Sequence, residues 1–311
     1  MALAKALRPG DTIALIAPAS TPQVSAKITK SAEYFERLGY RVVLGKHIEK
    51  HHGYLAGTDK ERLSDLHALI ANKKVKALFF LRGGYGTIRL LPMLDYDLIK
   101  RNPKIIVGYS DATSLFAAIH KQTGLKSLFF GPMPGVDIWN GFDSFAEDCM
   151  WKALTSTKAF GELPAAAKEI QPVGRISRTE VSGRMVGGNL TVLASTIGTP
   201  YLGSFDKKIL LIEDVGEEAY RLDRHLAQLQ HSGRMRSLQA VLLGQFNDCE
   251  APKDKISLTT TEVFADYFSK LKVPVLSNIP FGHIPRQWTI PYGAKLTVKG
   301  TTVSIRERVL E

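Results

Sequence analysis

Ile105-Ile106-Val107-Gly108-Tyr109-Ser110-Asp111-Ala112-Thr113 reads as strand, turn and helix. An apolar run ends at a glycine, and a helix-like pattern runs from Asp111 to Lys121. The serine between them has a glycine two residues before it. That is the outline of a nucleophile elbow, whose sharp strand-to-helix turn pushes the serine hydroxyl outward. The second glycine of the usual pattern is replaced by Ala112, which is still small. The same residues also fit an ordinary helix N-cap, because Ser and Asp favour that position.

Working outward, the flanking segments alternate in period. Thr12–Ala17 is a short buried-type strand stopped by Pro18. Residues 23–38 have helical spacing, with Ile28, Ala32, Phe35 and Leu38 on one face and Gly39 as the C′ glycine. Tyr40–Leu44 is the next strand, and Asp59–Asn72 a helix with Leu63, Leu66 and Ile70 inward. Ala77–Leu81 is a further strand. Alternating strands and helices predict a parallel sheet covered on both faces, an α/β fold. Ligands of such sheets lie beyond the carboxyl ends of the strands. Besides the Ser110 turn, Arg82-Gly83-Gly84-Tyr85-Gly86 meets that condition. Three glycines in four positions let backbone N–H groups face an anion or oxyanion. A flexible turn has the same composition. The loop is not a Walker A motif and lacks the Gly-x-Gly-x-x-Gly spacing of a dinucleotide site.

Turn residues punctuate 140–180: Asn140-Gly141, Gly161-Glu162-Leu163-Pro164 and Pro172-Val173-Gly174-Arg175. They predict a first domain over 1–150, a linker over 151–180 and a second domain over 181–311. In the second domain Gly183–Gly188 reads as the entry to a helix beginning near Asn189, which stops at Gly198-Thr199-Pro200. Lys208–Ile212 is a strand, Ala219–His231 a helix with Leu222, Leu226 and Leu229 inward, Ala240–Phe246 a strand and 260–271 a helix. Thr289-Ile290, Lys295–Val298 and Thr302–Ile305 predict a small terminal sheet.

Two stretches here carry chemistry. Glu213 ends an apolar strand, where a carboxylate is costly unless paired, so a histidine N–H is a fitting partner. Asp214 and Glu217 read as acids at a helix N-terminus. Among 8 histidines, His283 alone is held in a loop by Gly282 and two prolines, Pro280 and Pro285. Such loops position a general base, although a surface histidine or a metal ligand fits as well. Ser110, His283 and Glu213 supply a hydroxyl nucleophile, a base and an orienting acid. The N–H groups of Asp111 and of Gly83 or Gly84 supply oxyanion donors. The nucleophile and its base then come from different domains, which places the site in the interdomain cleft. A terminal carboxylate on a substrate requires a cation, for which Arg82 and Arg286 are candidates; Tyr85 is a further candidate substrate contact.

The bulk numbers bound these expectations. A chain of 311 residues, 44% hydrophobic and 23% charged, is typical of soluble globular proteins of two domains. Cys149 and Cys249 lack metal-ligand spacing, which argues against a disulfide framework or structural zinc site and for a reducing compartment. No cofactor is expected. Residues 1–10 lack a long apolar run, so no secretory leader is expected, and apolar runs of strand length predict no membrane span. The net charge of +11 is scattered among carboxylates, without an aromatic-interleaved basic stripe. This favours a basic enzyme over a nucleic-acid binder.

Together these motifs resemble the LD-carboxypeptidase family of serine peptidases. The resemblance spans nearly the whole chain: Ala17-Pro18-Ala19-Ser20, Arg82-Gly83-Gly84-Tyr85-Gly86, Gly108-Tyr109-Ser110-Asp111, Gly131-Pro132-Met133, Gly187-Gly188-Asn189-Leu190, Gly198-Thr199-Pro200, Glu213-Asp214-Val215-Gly216-Glu217, Tyr220-Arg221-Leu222-Asp223-Arg224 and Gly282-His283. It implies a nucleophile at Ser110, an acid at Glu213, a base at His283, and oxyanion donors at Asp111 and the Gly83-Gly84 turn. It also implies a flavodoxin-like N-terminal domain, a smaller mixed α/β C-terminal domain, no metal, a homodimer, and cytoplasmic release of D-Ala from recycled murein tetrapeptides. A microcin-immunity-type peptidase acting on aminoacyl or peptidyl nucleotide conjugates is the related alternative. A non-catalytic peptide-binding module on the same fold is the other. One departure is Phe130, where many relatives carry His, with an expected effect on packing or pocket shape rather than on the triad.

Overall fold

The computed structural model describes residues 3–165, 169–174, 179–252 and 254–311. Residues 1 and 2 of the N-terminal segment, and Arg175, named above in a turn, lie outside the described residues. In chain order, the first elements are β1 (Thr12–Ile16), α1 (Ala26–Arg37), β2 (Arg41–Leu44), α2 (Asp59–Ala71), β3 (Val75–Phe80), α3 (Thr87–Leu90), α4 (Tyr96–Arg101), β4 (Ile105–Val107), α5 (Ala112–Thr123), β5 (Leu128–Phe130) and α6 (Ser144–Thr155). Then come β6 (Gly161–Glu162), β7 (Gln171–Pro172), β8 (Val181–Asn189), α7 (Leu190–Ser195), β9 (Lys208–Val215), α8 (Ala219–His231), β10 (Ala240–Asn247), α9 (Thr260–Phe268), β11 (Val275–Ser277), β12 (Ile290–Pro291), β13 (Lys295–Lys299) and β14 (Thr302–Ile305).

The chain forms two compact units. One comprises the residues up to Ala159 with Pro285–Tyr292 and Arg308–Glu311; the other comprises Phe160–Ile284 with Gly293–Glu307. The expected linker over 151–180 is therefore corrected. The end of α6 occupies its first residues, and β6 and β7 are two-residue edge strands of the second sheet. Asn140-Gly141 and Val173-Gly174 lie outside strands and helices as expected, but Gly161-Glu162 and Pro172, expected as turns, are in β6 and β7, because strands this short pair through backbone groups that composition does not reveal.

The first unit is built on a six-stranded sheet in the order β12-β5-β4-β3-β1-β2. β1 to β5 run parallel, in the flavodoxin-like order 2-1-3-4-5, and β12 is antiparallel to β5. Buried on both faces, β4 is a continuous apolar run and β3 is one from Ala77 onward, as is usual for parallel strands. Phe35, Phe79, Phe80, Phe116, Phe129 and Phe130 fill this core. Phe130 packs 5.2 Å from the Phe116 ring of α5 and edge-on to Tyr292. The buried face of α1 is Ile28, Ser31, Tyr34 and Phe35; Leu38, expected inward, is exposed just past the helix end. α2 buries Arg62, Asp65, Leu66 and Ile70, with Leu63 only half-buried.

The second unit has an eight-stranded mixed sheet in the order β6-β14-β13-β8-β9-β10-β11-β7. Its centre, β8 to β11, is parallel. The separate terminal sheet expected from the sequence does not form. β13 and β14 extend this sheet through antiparallel pairing with β8, while β12 belongs to the first. The glycine-rich 183–188 stretch is itself the strand β8, with Asn189 as the N-cap of α7. Glycine is depleted in strands because it adds no packing, which hid this strand. Its presence has a steric cause: a Cβ at Gly187, whose φ is +132°, would lie 1.8 Å from the Leu211 carbonyl oxygen of β9. The close approach brings Asn189 opposite Glu213 in the β8–β9 register. Gly187→Ala is expected to cost about 2–4 kcal/mol, the upper range for single substitutions. Chemical denaturation checks this; unchanged stability would show that β8 can retreat from β9.

Candidate active site

The Ser110 turn follows from local geometry. β4 ends at Val107, and Ser110 has a φ of +61°, one of four such non-glycine residues among the described residues. An L-residue pays roughly 1–2 kcal/mol for this conformation, so its surroundings must hold it there. The Thr113 N–H donates to the Ser110 carbonyl at 3.0 Å and the Ala112 N–H to the Tyr109 carbonyl at 3.3 Å, which starts α5. A Cβ at Gly108 would come within 3.0–3.1 Å of the Phe80 side chain of β3, so a side chain there would require that ring to shift. Ala112 is fully buried; a methyl group is tolerated where the usual pattern has its second glycine.

The glycine loop after β3 packs directly on this turn. A Cβ at Gly83 would lie 2.8 Å from Ser110 Cβ and 2.9 Å from its Oγ, and one at Gly84 would lie 2.2 Å from Ser20 Oγ. Gly84 and Gly86 have φ of +108° and +133°. The loop thus meets the serine and the segment after β1 with bare backbone. The Asp111 amide takes no hydrogen-bond acceptor among the described residues, as an oxyanion donor must in the resting state.

The Asp111 side chain does not cap α5. It reaches across to α3, where it accepts the Thr87 N–H at 2.8 Å, while the Thr87 hydroxyl donates to the Asp111 carbonyl at 2.6 Å. Ser114 Oγ lies 2.8 Å from that hydroxyl. Burial pushes the Asp111 carboxyl above its ordinary value, and the hydrogen bonds from Thr87 pull it back. This buried carboxylate therefore ties the glycine loop to the serine turn.

In the second unit, Glu213 lies within β9 and is 1% exposed. Its Oε2 is 2.7 Å from His283 Nδ1. An ionised Glu213 accepts the Nδ1 proton, which makes Nε2 the basic nitrogen of the ring. The pair fits because two glycines clear space for it. A Cβ at Gly282 would lie 2.7 Å from Glu213 Oε2, and one at Gly244 would lie 3.0 Å from Glu213 Cβ. Asn247 Nδ2 donates to the His283 carbonyl at 2.8 Å and holds the loop. Of Asp214 and Glu217, only Glu217 lies at the start of the expected helix, just before α8. Asp214 is in the strand, yet its carboxylate accepts the Thr191 N–H and hydroxyl at the start of α7, a different helix from the one expected. Glu217 pairs with Arg221 in the first turns of α8.

Sequence reasoning assigned no role to Asn189. Its Oδ1 accepts the Val192 N–H at 3.1 Å, which turns its Nδ2 toward Glu213 Oε1 at 3.3 Å and Asp214 Oδ1 at 2.8 Å. The Gly-Gly-Asn-Leu motif was a visible cap signal, but its carboxylate partners lie more than twenty residues away. Of the substrate-contact candidates, Arg286 is held elsewhere. Its guanidinium lies 3.7 Å from Asp143 and stacks over the Phe145 ring at 4.5 Å. Arg82 is half-buried at the head of the glycine loop, and its buried Nε has no hydrogen-bond partner among the described residues. Tyr85 is exposed and meets exposed Tyr54 edge-to-face at 5.6 Å. Among the described residues no group of three or more His, Cys, Asp or Glu can hold a metal, and no helix is long and apolar enough to cross a membrane.

Residues 13–131 match the LD-carboxypeptidase N-terminal domain, and residues 182–298 the LD-carboxypeptidase C-terminal domain. The chain belongs to the LD-carboxypeptidase family. It is 39% identical to a probable murein peptide carboxypeptidase of Bacillus subtilis, over 94% of this chain and 89% of the relative. It is 34% identical to the murein tetrapeptide carboxypeptidase of Pseudomonas aeruginosa, over 93% of each. The fold is similar to that of MccF in complex with glutamyl sulfamoyl guanosine, with a TM-score of 0.89, 27% identity and 99% of both chains covered.

The Glu213–His283 contact makes a prediction. Glu213→Gln keeps the shape but presents a neutral amide to Nδ1, so the ring loses its fixed tautomer. The rate of peptide hydrolysis should fall roughly 10³–10⁴-fold, and a low-field Nδ1 proton resonance of His283 should be lost. An unchanged kcat would remove Glu213 from the mechanism.

Proposed function

We propose that this protein is a serine carboxypeptidase that hydrolyses the L,D-peptide bond to the terminal D-Ala of murein tetrapeptides. The observation that carries the proposal is Ser110 at positive φ with Gly83 packed against its hydroxyl, in a chain 34–39% identical to murein peptide carboxypeptidases. In the proposed reaction Ser110 Oγ attacks the carbonyl carbon before D-Ala, and His283 Nε2 takes the hydroxyl proton. Glu213 holds Nδ1–H and stabilises the imidazolium. The developing oxyanion accepts the N–H of Asp111 and an amide of the Gly83-Gly84 turn. As the C–N bond breaks, His283 returns the proton to the departing D-Ala amine. Water, deprotonated by His283, then cleaves the acyl ester and restores Ser110. The substrate class implies work on peptides recycled from the cell wall.

A carboxypeptidase must recognise a free carboxylate. Arg82 suits this task, since it heads the loop that packs on Ser110 and has no ion-pair partner among the described residues, whereas Arg286 is engaged by Asp143. One observation favours a second substrate class. The exposed Tyr54–Tyr85 pair beside the glycine loop offers aromatic faces of the kind on which a nucleobase stacks. That suits an aminoacyl or peptidyl nucleotide conjugate.

Incubation with murein tetrapeptide and, separately, with glutamyl-sulfamoyl-adenosine distinguishes the two. D-Ala release that Ser110→Ala abolishes is expected. Cleavage of the sulfamoyl compound alone would overturn the proposal in favour of the second class. Cleavage of neither, with ligand binding that survives Ser110→Ala, would point to a binding module. Arg82→Gln should raise KM for tetrapeptide about 10- to 100-fold, the worth of one charged hydrogen bond. It should also abolish discrimination against the tetrapeptide C-terminal amide. If that discrimination persists in Arg82→Gln, another cation reads the carboxylate.

A further inference from the structure

Arg62 is the largest charged side chain buried in the first unit, and the peptidase chemistry above does not use it. It lies on α2, with its side chain fully excluded from solvent. Its Nη1 donates to the Pro18 carbonyl and, at 3.0 Å, to the Gly86 carbonyl; its Nη2 donates to Asp59. Asp59 is held in turn by Arg89, through Nε at 2.9 Å and Nη2 at 2.8 Å. Pro18 belongs to the segment after β1, and Gly86 closes the glycine loop after β3. The guanidinium therefore joins the segments that leave two adjacent parallel strands. A Cβ at Gly86 would lie 2.7 Å from Arg62 Nη1, so loop backbone and guanidinium are in direct contact.

The network continues to the serine turn. Gly86 precedes Thr87, whose N–H and hydroxyl bind Asp111. The Gly83 carbonyl accepts the Ser20 N–H at 3.3 Å, and the Ser20 hydroxyl donates to the Tyr54 carbonyl at 2.6 Å. The loop is thus tied at both ends, by Ser20 at Gly83 and by Arg62 at Gly86. Between the ties, Gly84 and Tyr85 lack a fastening of that kind among the described residues. The Asp111 carboxylate also acts on Arg62 as a favourable opposite charge, with Asp59 and Arg89 as the other charged groups acting on it. Burying a guanidinium is costly, and a hydrophobic side chain of equal volume would fill the space at less cost. What such a side chain cannot do is bind two carbonyls and a carboxylate at set angles.

We propose that Arg62 is a positioning residue that holds the Gly83–Gly86 loop in register with the Ser110 turn, and so keeps the loop amides aimed at the oxyanion. The proposal rests on the serine-peptidase activity put forward above. Donors misplaced by about 1 Å forfeit on the order of 100-fold in rate, and the loss falls on the transition state rather than on substrate binding.

The test compares wild type, Arg62→Met and Arg62→Lys, using tetrapeptide hydrolysis and amide hydrogen exchange. Methionine fills the volume; lysine keeps the charge but not the planar fork. Arg62→Met should lose about 10- to 100-fold in kcat with KM within about threefold of wild type. Amides of residues 83–87 should exchange faster while the β4 and α5 amides stay protected. Arg62→Lys should fall between the two, and serves alone if Arg62→Met does not fold. Loop exchange and kcat both at wild-type levels would overturn the proposal. So would a loosened loop with unchanged kcat, or a kcat loss matched by uniform exchange across the unit, which marks general destabilisation. A wild-type protein that cleaves neither peptide nor nucleotide conjugate defeats the hydrolase assignment and this role with it. An active wild type with a fully active Arg62 variant defeats this role alone.

Discussion

The buried carboxylate of Asp111 is the constraint on which the first unit depends. Ser110 adopts a backbone conformation that an L-residue leaves unless it is held. The hold comes from the next residue, whose side chain spans to Thr87 and whose carbonyl accepts the Thr87 hydroxyl. One side chain therefore binds the turn after β4 to the loop after β3. The gap left between them has no room for a Cβ at Gly83. A charged group at 2% exposure stays tolerable because its hydrogen bonds are satisfied, and the same bonds tie the glycine loop to the serine turn.

The second unit solves a parallel problem with different parts. Glu213 and Asp214 are consecutive buried acids near the carboxyl end of one strand. Asn189 reaches both through a single amide nitrogen, oriented by the Val192 N–H on its oxygen. Asp214 accepts a hydrogen bond from the start of α7, and Glu213 pairs with His283. The β8–β9 register that sets Asn189 against Glu213 requires the strands to approach at Gly187. A glycine that looked like a break in a helix entry is thus what lets the acid find its partners.

Much of the candidate site was legible because its signals are local. Apolar run, glycine and serine define an elbow within a few residues, and an acid ending an apolar strand advertises its need for a partner. The pinned histidine was legible by the same logic, yet Arg286, three residues on in the same proline-bounded loop, pairs with Asp143 on α6 instead. Local stiffness identified a positioned loop and said nothing of which side chain serves the chemistry. Arg62 carried no such signal, and Asn189 signalled only a helix start, not its carboxylate partners. On a helical projection Arg62 is one more charge among Asp59, Lys60 and Glu61, and only its burial separates it from them.

Sequence by itself determined the alternation of strands and helices, the parallel α/β class, the elbow at Ser110 and the family, because each is written in short-range periodicity, turn chemistry and contiguous motifs. Tertiary structure alone decided where the units divide, that 181–189 is a strand, that the last strands join the second sheet while β12 joins the first, and that Asp111 serves α3 rather than α5. Those outcomes depend on which carbonyl, carboxylate or ring lies across a gap from a residue. That distance is set by packing between segments far apart in the chain, and no local pattern contains it.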